Sequence, residues 1–443
     1  MIGILFCAAA FFLVFLAGRR SLTAGLGAVL AVGYAYGIVR ANFPNPASHF
    51  IFDAAVLALY MTQLFTNQTA DNRQRMRAIQ IWTVVLIAWP VVLVFLPLQD
   101  YLVQLVGLRG NVFLLPFLLL GARLTRQDIS RFALSLATFN LIAFVFAGAE
   151  YMLGIERFFP RNANTEIIYR SADVGLMADQ FRIPGPFTGS HAYAGTMVMT
   201  LPFLLSAWAT ARTSRARKAF LVCAMIAAAL GVFAAASRIH TVVLVMVLLA
   251  ALFSGRISAG ARVLLFAVVG ALGAIVLSQE RLQRFTTLSD TGYVSSRVAG
   301  SVNASFWDVL LEYPLGNGLG GGGTSLPYFL QDRLRGGVIL ENEYARILLE
   351  QTSIGLCLWV TFIGWFVSRR FTVAARQSWG LGESTAWLAV VMYFGIALIG
   401  IGLLTAIPQT VLFLLCAGWV VAKRPELEAM PEPYVDEEAH ALA

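Results

Sequence analysis

The pattern of hydrophobic and polar positions along the chain is a succession of long apolar stretches separated by short polar segments. A helix that crosses a membrane needs about 17–25 mostly apolar residues, and such stretches recur almost back to back. The runs are continuous, unlike the alternating pattern of a transmembrane β-barrel. The sequence therefore predicts an all-α polytopic membrane protein with about 12–13 transmembrane helices. The thirteen predicted spans lie near residues 2–17, 21–38, 50–66, 79–97, 111–122, 132–152, 192–209, 219–236, 241–254, 263–278, 347–368, 384–403 and 408–422.

Two of the segments between spans are long, namely residues 153–191 and residues 279–346. Loops beyond about 12–15 residues in a compact domain are usually functional or disordered. Both segments mix aromatic, acidic, arginine and glycine residues, and the second is expected to carry short helices. Residues 1–424 are thus predicted to form a single polytopic domain. Residues 425–443 are acidic and contain proline, which predicts a disordered tail.

Composition and charge fix the predicted orientation in the membrane. Hydrophobic residues make up 58% of the chain and charged residues only 13%, which leaves no room for a fully solvated surface. One side holds 19 of the 32 Lys and Arg with three acids before the tail, and the other holds 13 bases with fourteen acids. By the positive-inside rule the first side is cytoplasmic and both long loops are periplasmic. The net charge of +8 is therefore a topology signal and gives no reason to expect a nucleic-acid partner.

Ionisable residues are rare inside the predicted spans, and Asp53 is the clearest exception. Transporters usually place charged residues or broken helices at the membrane midplane. We therefore expect the chemistry to take place at the outer membrane–water boundary.

A first candidate site is Arg182, which is followed by the turn-forming residues Pro184, Gly185 and Pro186 just before a span. An arginine beside a helix N-terminus favours a phosphate ligand, because free N–H groups and a bidentate cation point at it. Alternatively, Arg182 pairs with a nearby acid such as Asp179 and only anchors the loop.

A second candidate is Arg238, which follows Ser237 in a very short junction between two spans. It must lie at or just below the outer headgroup plane, where an unpaired charge is costly. The alternative is a simple interfacial anchor.

A third group lies in the larger loop. Trp307 falls on a predicted short helix at 303–312, and the glycine run 316–323 lets the backbone approach a ligand closely. The chain re-enters the membrane at Glu341, Asn342, Glu343 and Tyr344. Glu341 and Glu343 are candidate bases, with stabilisation of the helix dipole as the alternative.

Taken in order, these positions resemble the bacterial O-antigen ligase and polymerase superfamily, which includes exopolysaccharide polymerases. The family pattern has Arg-x-x-Gly-x-Phe before a span, Ser-Arg at a later helix end, and a large loop running from Arg through Trp to a Pro-Leu-x-Gly-x-Gly stretch. It ends in His-Asn-x-Tyr and a helix with Glu and Ile-Gly. The matching residues are Arg182, Gly185, Phe187, Ser237, Arg238, Arg297, Trp307, Pro314, Leu315, Gly316, Asn317, Gly318, Asn342, Tyr344, Glu350, Ile354 and Gly355, with Arg109-Gly110 as a weaker match.

The resemblance implies a GT-C-like, metal-independent and inverting glycosyltransferase of the bacterial inner membrane, with a periplasmic active site and no cofactor. Its substrates would be undecaprenyl-pyrophosphate-linked oligosaccharides, as donor and as acceptor, with membrane lipids and a chain-length regulator as further partners. Arg182 and Arg238 would bind the pyrophosphate, supported by Arg109 and Arg297. Glu341 would be the catalytic base with Glu343 in reserve, and the sugar would contact Tyr344, Trp307 and Asn342.

The sequence departs from the family at Glu341, where the family usually has His. Ligases typically keep that His while polymerases vary, so the departure favours a polymerase. The alternatives are an oligosaccharyl ligase that transfers the glycan to lipid A, protein or wall polymer, and a lipid-linked oligosaccharide flippase. A flippase is expected to show a charged central cavity and an inverted repeat, and neither is evident in the sequence.

Overall fold

The structure is a computed structural model that describes residues 2–63, 69–166, 168–169, 182–210, 214–254, 262, 270, 291–300, 305–324, 326–338, 340, 342–372 and 379–422. These residues form helices and turns and contain no β-strand. The helices are α1 (Ile2–Arg20), α2 (Leu22–Asn42), α3 (Ile51–Gln63), α4 (Ala70–Leu93), α5 (Tyr101–Val112), α6 (Phe117–Arg123), α7 (Arg126–Leu153), α8 (Ser190–Thr210), α9 (Arg215–Ala234), α10 (Arg238–Phe253), α11 (Thr291–Val298), α12 (Ser305–Glu312), α13 (Glu343–Ser368), α14 (Leu381–Ile396) and α15 (Gln409–Val421).

Eight helical segments in the described part of the chain are long and apolar enough to cross a membrane, with α5 and α6 taken as one. Helices α10, α14 and α15 are shorter but also apolar. Many large apolar side chains on α1, α4 and α7 stay exposed, as a lipid-facing surface requires. The prediction of a helical, multi-pass membrane protein is confirmed.

The ends of the helices define two ends of the bundle. At one end the side-chain amide of Gln63, at the end of α3, donates to the carbonyl of Gly18 near the end of α1 at 2.6 Å. Arg19, Arg20 and Arg123 lie there, and we call it the basic end. The opposite end carries residues 154–166 and 182–189, and we call it the long-loop end.

Local capping explains why helices begin where they do at the basic end. The hydroxyl of Ser21 accepts a hydrogen bond from the Ala24 amide at 3.1 Å, so a single residue separates α1 from α2. Thr125 and Asp128 form a reciprocal capping box that starts α7.

Helix α15 lies in the centre of the bundle, and all thirteen of its residues are buried. It packs closely on α6 through small residues. A Cβ atom added at Gly418 would lie 2.0 Å from the Leu118 carbonyl oxygen, and one at Gly121 would lie 2.3 Å from the Leu415 carbonyl oxygen. Small residues at this contact let the two backbones approach, as is common between membrane helices.

Helix α13 differs from the predicted span at 347–368. It begins at Glu343 and breaks at Thr352, whose φ of 64° is not helical. The break frees backbone carbonyl groups. That of Leu349 accepts from the Asn317 amide at 2.7 Å, and that of Gln351 accepts from the indole N–H of Trp89 at 2.7 Å. Hydropathy alone misplaces the start because the first turns carry ionisable residues that pair with one another inside the protein.

Two further boundaries differ from the sequence prediction. The predicted span at 111–122 is formed by two helices, α5 and α6, joined by a turn before Pro116. In the predicted span at 384–403, the helix ends at Ile396, and the remaining apolar residues form turns. Apolar composition predicts burial but does not require a helix. The predicted span 263–278, apart from Gly270, and the tail 425–443 lie outside the described residues.

Candidate functional site

A polar cavity of about 330 Å³ lies at the long-loop end. Its walls come from α2, α3 and α5, from the turn Pro46–Phe50, and from the connections before α8, α13 and α15. It therefore joins segments that are far apart in the sequence. The polar lining residues are Tyr36, Arg40, His49, Asp53, Arg109, Asn164, Thr188, Thr324, Tyr328, Gln331 and Thr405.

Arg109 and Asp53 form an ion pair in the wall of this cavity. The Arg109 Nε donates to Asp53 Oδ2 at 2.8 Å, and the two side chains are only 28% and 15% exposed. Asp53 is the only carboxylate among the described lining residues. The structure thus places the predicted Arg109 on the cavity and explains the isolated acid in α3, which balances it.

Arg40 and His49 form a second polar group in the wall. The Arg40 guanidinium donates to the Asn164 carbonyl oxygen at 3.4 Å and lies 5.6 Å from the Tyr36 ring centroid. The Nε2 of His49 lies 3.0 Å from the Asn164 side-chain oxygen. Burial, followed by the charge of Arg40, lowers the pKa of His49 to about 4, so the ring is neutral near pH 7.

With His49 neutral, the charged groups among the described lining residues are Arg40, Arg109 and Asp53, and together they carry a net positive charge. Sequence reasoning did not select Arg40 or His49. The available signal was their position at the long-loop end of α2 and in the following Pro-containing turn.

Arg182, a main predicted phosphate ligand, is linked by a chain of contacts to the start of α10, where the second predicted ligand, Arg238, is the first residue. Arg182 Nη1 lies 3.0 Å from His191 Nε2, and the rings of His191 and His240 lie 6.0 Å apart. The Nδ1 of His240 lies 2.7 Å from the Ser237 hydroxyl, next to Arg238 at the start of α10. We call Arg182, His191, His240 and Arg238 the arginine–histidine cluster.

The loop that follows Arg182 is held tightly against three helices. The Ile183 amide donates to the Ala234 carbonyl oxygen at 3.3 Å, and the Gly185 amide donates to Glu150 Oε2 at 2.9 Å. Phe187 passes so close to Gly37 that an added Cβ there would lie 2.1 Å from the Phe187 carbonyl carbon. Thr188, in the same loop, lines the cavity. This loop therefore connects the arginine–histidine cluster to the cavity.

A buried ionic triad lies in the first turns of α13. Arg346 donates to Glu343 Oε1 at 2.6 Å and to Glu350 Oε2 at 2.8 Å, and all three side chains have no solvent exposure. Arg346 also donates to the side-chain oxygen of Asn111 at 3.1 Å. An unpaired charge would be very costly at such a depth, so each member needs the others.

The triad also holds three segments of the cavity wall. Glu350 accepts from the Asn111 side chain at 2.7 Å and from the Gly322 amide at 3.3 Å. Glu343 Oε2 accepts from the Gly402 amide at 2.8 Å. Each contact lies within three residues of a lining residue: Asn111 follows Arg109, Gly322 precedes Thr324, and Gly402 precedes Thr405. The triad therefore positions the wall from inside the protein.

The other predicted site residues have diverse positions. Asn342 is the N-cap of α13, its side-chain oxygen accepting from the Tyr344 and Ala345 amides, and the Tyr344 hydroxyl donates to the Phe394 carbonyl at 2.7 Å. Trp307 lies on α12 and is 55% exposed. Arg297 lies in α11, with its side chain outside the described structure, and Glu341 also lies outside the described residues.

These positions bear on the predicted roles. Glu343 has both carboxylate oxygens hydrogen-bonded inside the protein, an arrangement that favours a positioning role over the reserve role as base. Asn342 and Tyr344 use their polar atoms to hold the start of α13 next to Glu341. Arg346 was not selected from the sequence, although its spacing of three and four residues from two acids on one helix is the usual signal of an ion-paired face.

Comparison with known proteins adds no assignment, since no protein-family model matches the chain and no curated protein matches it.

Proposed function

We propose that this protein is a membrane glycosyltransferase that polymerises undecaprenyl-pyrophosphate-linked oligosaccharide repeat units into O-antigen or exopolysaccharide. In this proposal it has a GT-C-like architecture of 12–13 spans in the bacterial inner membrane. The long-loop end faces the periplasm, as the charge distribution predicts.

One observation carries the proposal: Arg182 is linked through His191 and His240 to the start of α10, which carries Arg238, and the loop after Arg182 reaches a polar cavity at the long-loop end. Arg182 and Arg238 come from segments more than fifty residues apart, yet both belong to the arginine–histidine cluster. The neighbouring cavity of about 330 Å³ has hydroxyl, amide and charged groups suited to a sugar. A sugar diphosphate has a negatively charged diphosphate next to a sugar ring. The diphosphate suits the arginines, and the sugar ring suits the polar cavity.

In the proposed reaction, a hydroxyl oxygen of the acceptor sugar attacks the anomeric carbon of the donor. The new C–O bond forms as the bond from that carbon to the diphosphate oxygen breaks, and the electron pair leaves with undecaprenyl diphosphate. Attack from the opposite face inverts the configuration. The leaving group carries dense negative charge, which Arg182 and Arg238 stabilise, so no strong general acid and no metal ion are required.

The hydroxyl proton passes to a base, and Glu341 is the proposed acceptor. It directly precedes the N-cap Asn342, whose buried side chain fixes the start of α13. A carboxylate held near apolar helix ends can have its pKa raised towards the working pH. Arg109 and Arg40 contribute further positive charge from the cavity wall, and Arg297 is a further proposed support.

Aromatic side chains supply candidate stacking surfaces for the sugars. Tyr328 lines the cavity and is 38% exposed, which suits a sugar-stacking position. Trp307, which is more exposed, is better placed for a growing glycan chain than for the reacting sugar. Tyr344 and Asn342 act through the position of Glu341. The membrane lipids surround the helices, and a chain-length regulator is a further proposed partner.

Two other functions use the same lipid-linked substrate. An oligosaccharyl ligase would transfer a finished glycan to lipid A, a protein or a wall polymer, and a flippase would move the substrate across the membrane without making a bond. The charged residues among the described lining of the candidate cavity, Arg40, Asp53 and Arg109, lie at the long-loop end, which favours an enzyme acting at one surface.

The test is an in vitro reaction of the purified protein, in detergent, with a defined lipid-linked repeat unit and resolution of the products by length. A ladder of products supports the polymerase. One block added to a foreign acceptor indicates the ligase, and unchanged substrate indicates that the protein is not a transferase.

Two variants test the site within this assay. Arg238→Ala and Glu341→Gln are expected to abolish chain extension while the protein still inserts and accumulates. Arg157→Ala is the matched control, because Arg157 is exposed at the same end of the bundle and outside the cluster. Full activity in Glu341→Gln would refute the base assignment without affecting the assignment of the cluster.

A further inference from the structure

A second cavity, of about 500 Å³, lies at the basic end. It is formed where the ends of α1 and α3 meet the end of α6 and the start of α2. Its lining residues are Phe15, Gly18, Arg19, Arg20, Ser21, Leu22, Met61, Thr62, Gln63 and Arg123. No residue of the glycosyl-transfer proposal takes part, so this cavity is independent of that proposal.

The cavity is strongly cationic. It contains three arginines, Arg19, Arg20 and Arg123, and no carboxylate among its described lining residues. The adjoining residues 64–68, outside the described structure, have the sequence Leu-Phe-Thr-Asn-Gln and add no acid. Elsewhere at this end, Arg75 is paired with Asp71 at 2.8 Å, and Asp128, in the cap of α7, is near enough to interact electrostatically with Arg123 but does not line the cavity. A general excess of cytoplasmic arginine does not require three of them around one cavity.

One of the three arginines is fixed by the protein before any ligand arrives. Arg123 donates from Nη1 to the Gln63 carbonyl at 2.6 Å and from Nη2 to the Gln63 side-chain oxygen at 3.2 Å. Its Nε is buried and has no hydrogen-bond acceptor among the described residues. A guanidinium has five N–H donors, so the Nη groups keep N–H bonds beyond the two that reach Gln63, and these can donate to an anionic oxygen in the cavity.

The remainder of the lining is apolar and adjoins the lipid-facing surface. Phe15, Leu22 and Met61 form this part, and Met61 is 46% exposed. Ser21 and Gln63 lie on the polar part. A ligand that satisfies both parts has a negatively charged phosphate and an attached apolar chain, and it lies at the level where membrane headgroups are found.

We propose that this cavity binds the phosphate group of an anionic membrane phospholipid at the basic end of the bundle. Arg19 and Arg20 attract the headgroup, Arg123 donates to a phosphate oxygen, and the acyl chains lie against Phe15, Leu22 and Met61. Free inorganic phosphate could make the same contacts with the arginines. We assign the site to a lipid because the apolar part of the lining would contact acyl chains.

The test is a titration of the full-length protein in detergent with dioctanoyl phosphatidylglycerol, measured as lipid-bound mass by native mass spectrometry and as a shift in Tm. Dioctanoyl phosphatidylcholine and inorganic phosphate are titrated in parallel. Saturable binding of phosphatidylglycerol is expected, with at least tenfold weaker binding of the other two. Equal binding of inorganic phosphate would overturn the assignment to a lipid, and equal binding of phosphatidylcholine would overturn the role of charge.

The decisive variant is Arg19→Gln/Arg20→Gln, because both side chains are exposed and leave the Arg123–Gln63 contacts in place. Its Kd for phosphatidylglycerol is expected to rise about 30-fold, as for the loss of two basic residues at a membrane surface. The matched control Arg73→Gln/Arg77→Gln removes the same charge from exposed positions on α4. Wild-type affinity in the first variant, or an equal loss in the control, would refute the proposal.

Discussion

The buried triad of Glu343, Arg346 and Glu350 gives a sharp prediction for the variant Arg346→Met. Methionine fills a similar length but removes the charge that both carboxylates contact, at 2.6 and 2.8 Å. All three side chains have no solvent exposure, so the charges cannot be rescued by water at these positions. We expect the variant to lose stability because two acids remain in a low-dielectric interior.

The magnitude follows from the depth of the pair. Removing one partner of a buried ion pair typically costs about 3–5 kcal/mol, because the partner stays buried and uncompensated. Glu350 keeps its contacts with Asn111 and Gly322, and Glu343 keeps that with Gly402. Because these hydrogen bonds still stabilise both carboxylates, we expect the free energy of unfolding to fall by about 4 kcal/mol. Two independent buried ion pairs would lose about twice the value of one pair.

The assay is unfolding of the detergent-solubilised protein, followed by tryptophan fluorescence, combined with hydrogen exchange at the Gly322 and Gly402 amides. Both amides donate to triad carboxylates and should exchange faster in Arg346→Met. The control Glu343→Gln/Arg346→Met/Glu350→Gln leaves no charge behind and should be more stable than the single variant. A single variant within about 1 kcal/mol of the wild type, a loss too small for a buried pair, would refute the reasoning.

Three further predictions follow from the geometry. Gly37→Ala places a Cβ atom 2.1 Å from the Phe187 backbone and should lower stability by about 1–3 kcal/mol in thermal unfolding, whereas Gly148→Ala, with nothing within 4 Å, should not. The pKa of His49 is about 4 in the folded state, below its unfolded value of 6.5, so protonation favours unfolding. The free energy of unfolding should therefore fall by about 2 kcal/mol as the pH drops from 6.5 towards 4. In His49→Gln, the free energy of unfolding should not show this fall. Asp53→Asn removes the carboxylate that pairs with Arg109 in the cavity wall and should reduce chain extension about tenfold, while Glu156→Gln, in an exposed pair, should retain wild-type rates.

The sequence predicted the helical, multi-pass architecture because long apolar runs have few alternatives in a membrane. Helices α1 and α2 correspond to the predicted spans 2–17 and 21–38, and the polar residues Arg19 and Arg20 lie between those spans. Boundaries failed where tertiary contacts outweigh hydropathy. The start of α13 was placed at 347 because the ionisable residues of its first turns lower the local hydropathy, and no local pattern shows that Arg346 also contacts Asn111, which is 235 residues away.

The candidate site was predictable only in part. Arg182 and Arg238 stand out because single cations at helix ends are costly in a membrane unless they serve a purpose. The link between Arg182 and the start of α10 runs through His191 and His240, which no sequence motif marks. Arg40 and His49 line a cavity that forms only where α2, α3 and α5 pack together. The local sequence does not show which helices pack together, so it could not identify these two residues.

The central claim is that this protein joins glycan units at the long-loop end with the help of the arginine–histidine cluster. The most direct test is the length distribution of glycans formed by purified wild-type and Arg238→Ala proteins from one lipid-linked repeat unit. The account predicts a ladder of extended products with the wild type and none with the folded variant. Ladders of equal length from both proteins, or no new glycosidic bond from the wild type, would contradict it.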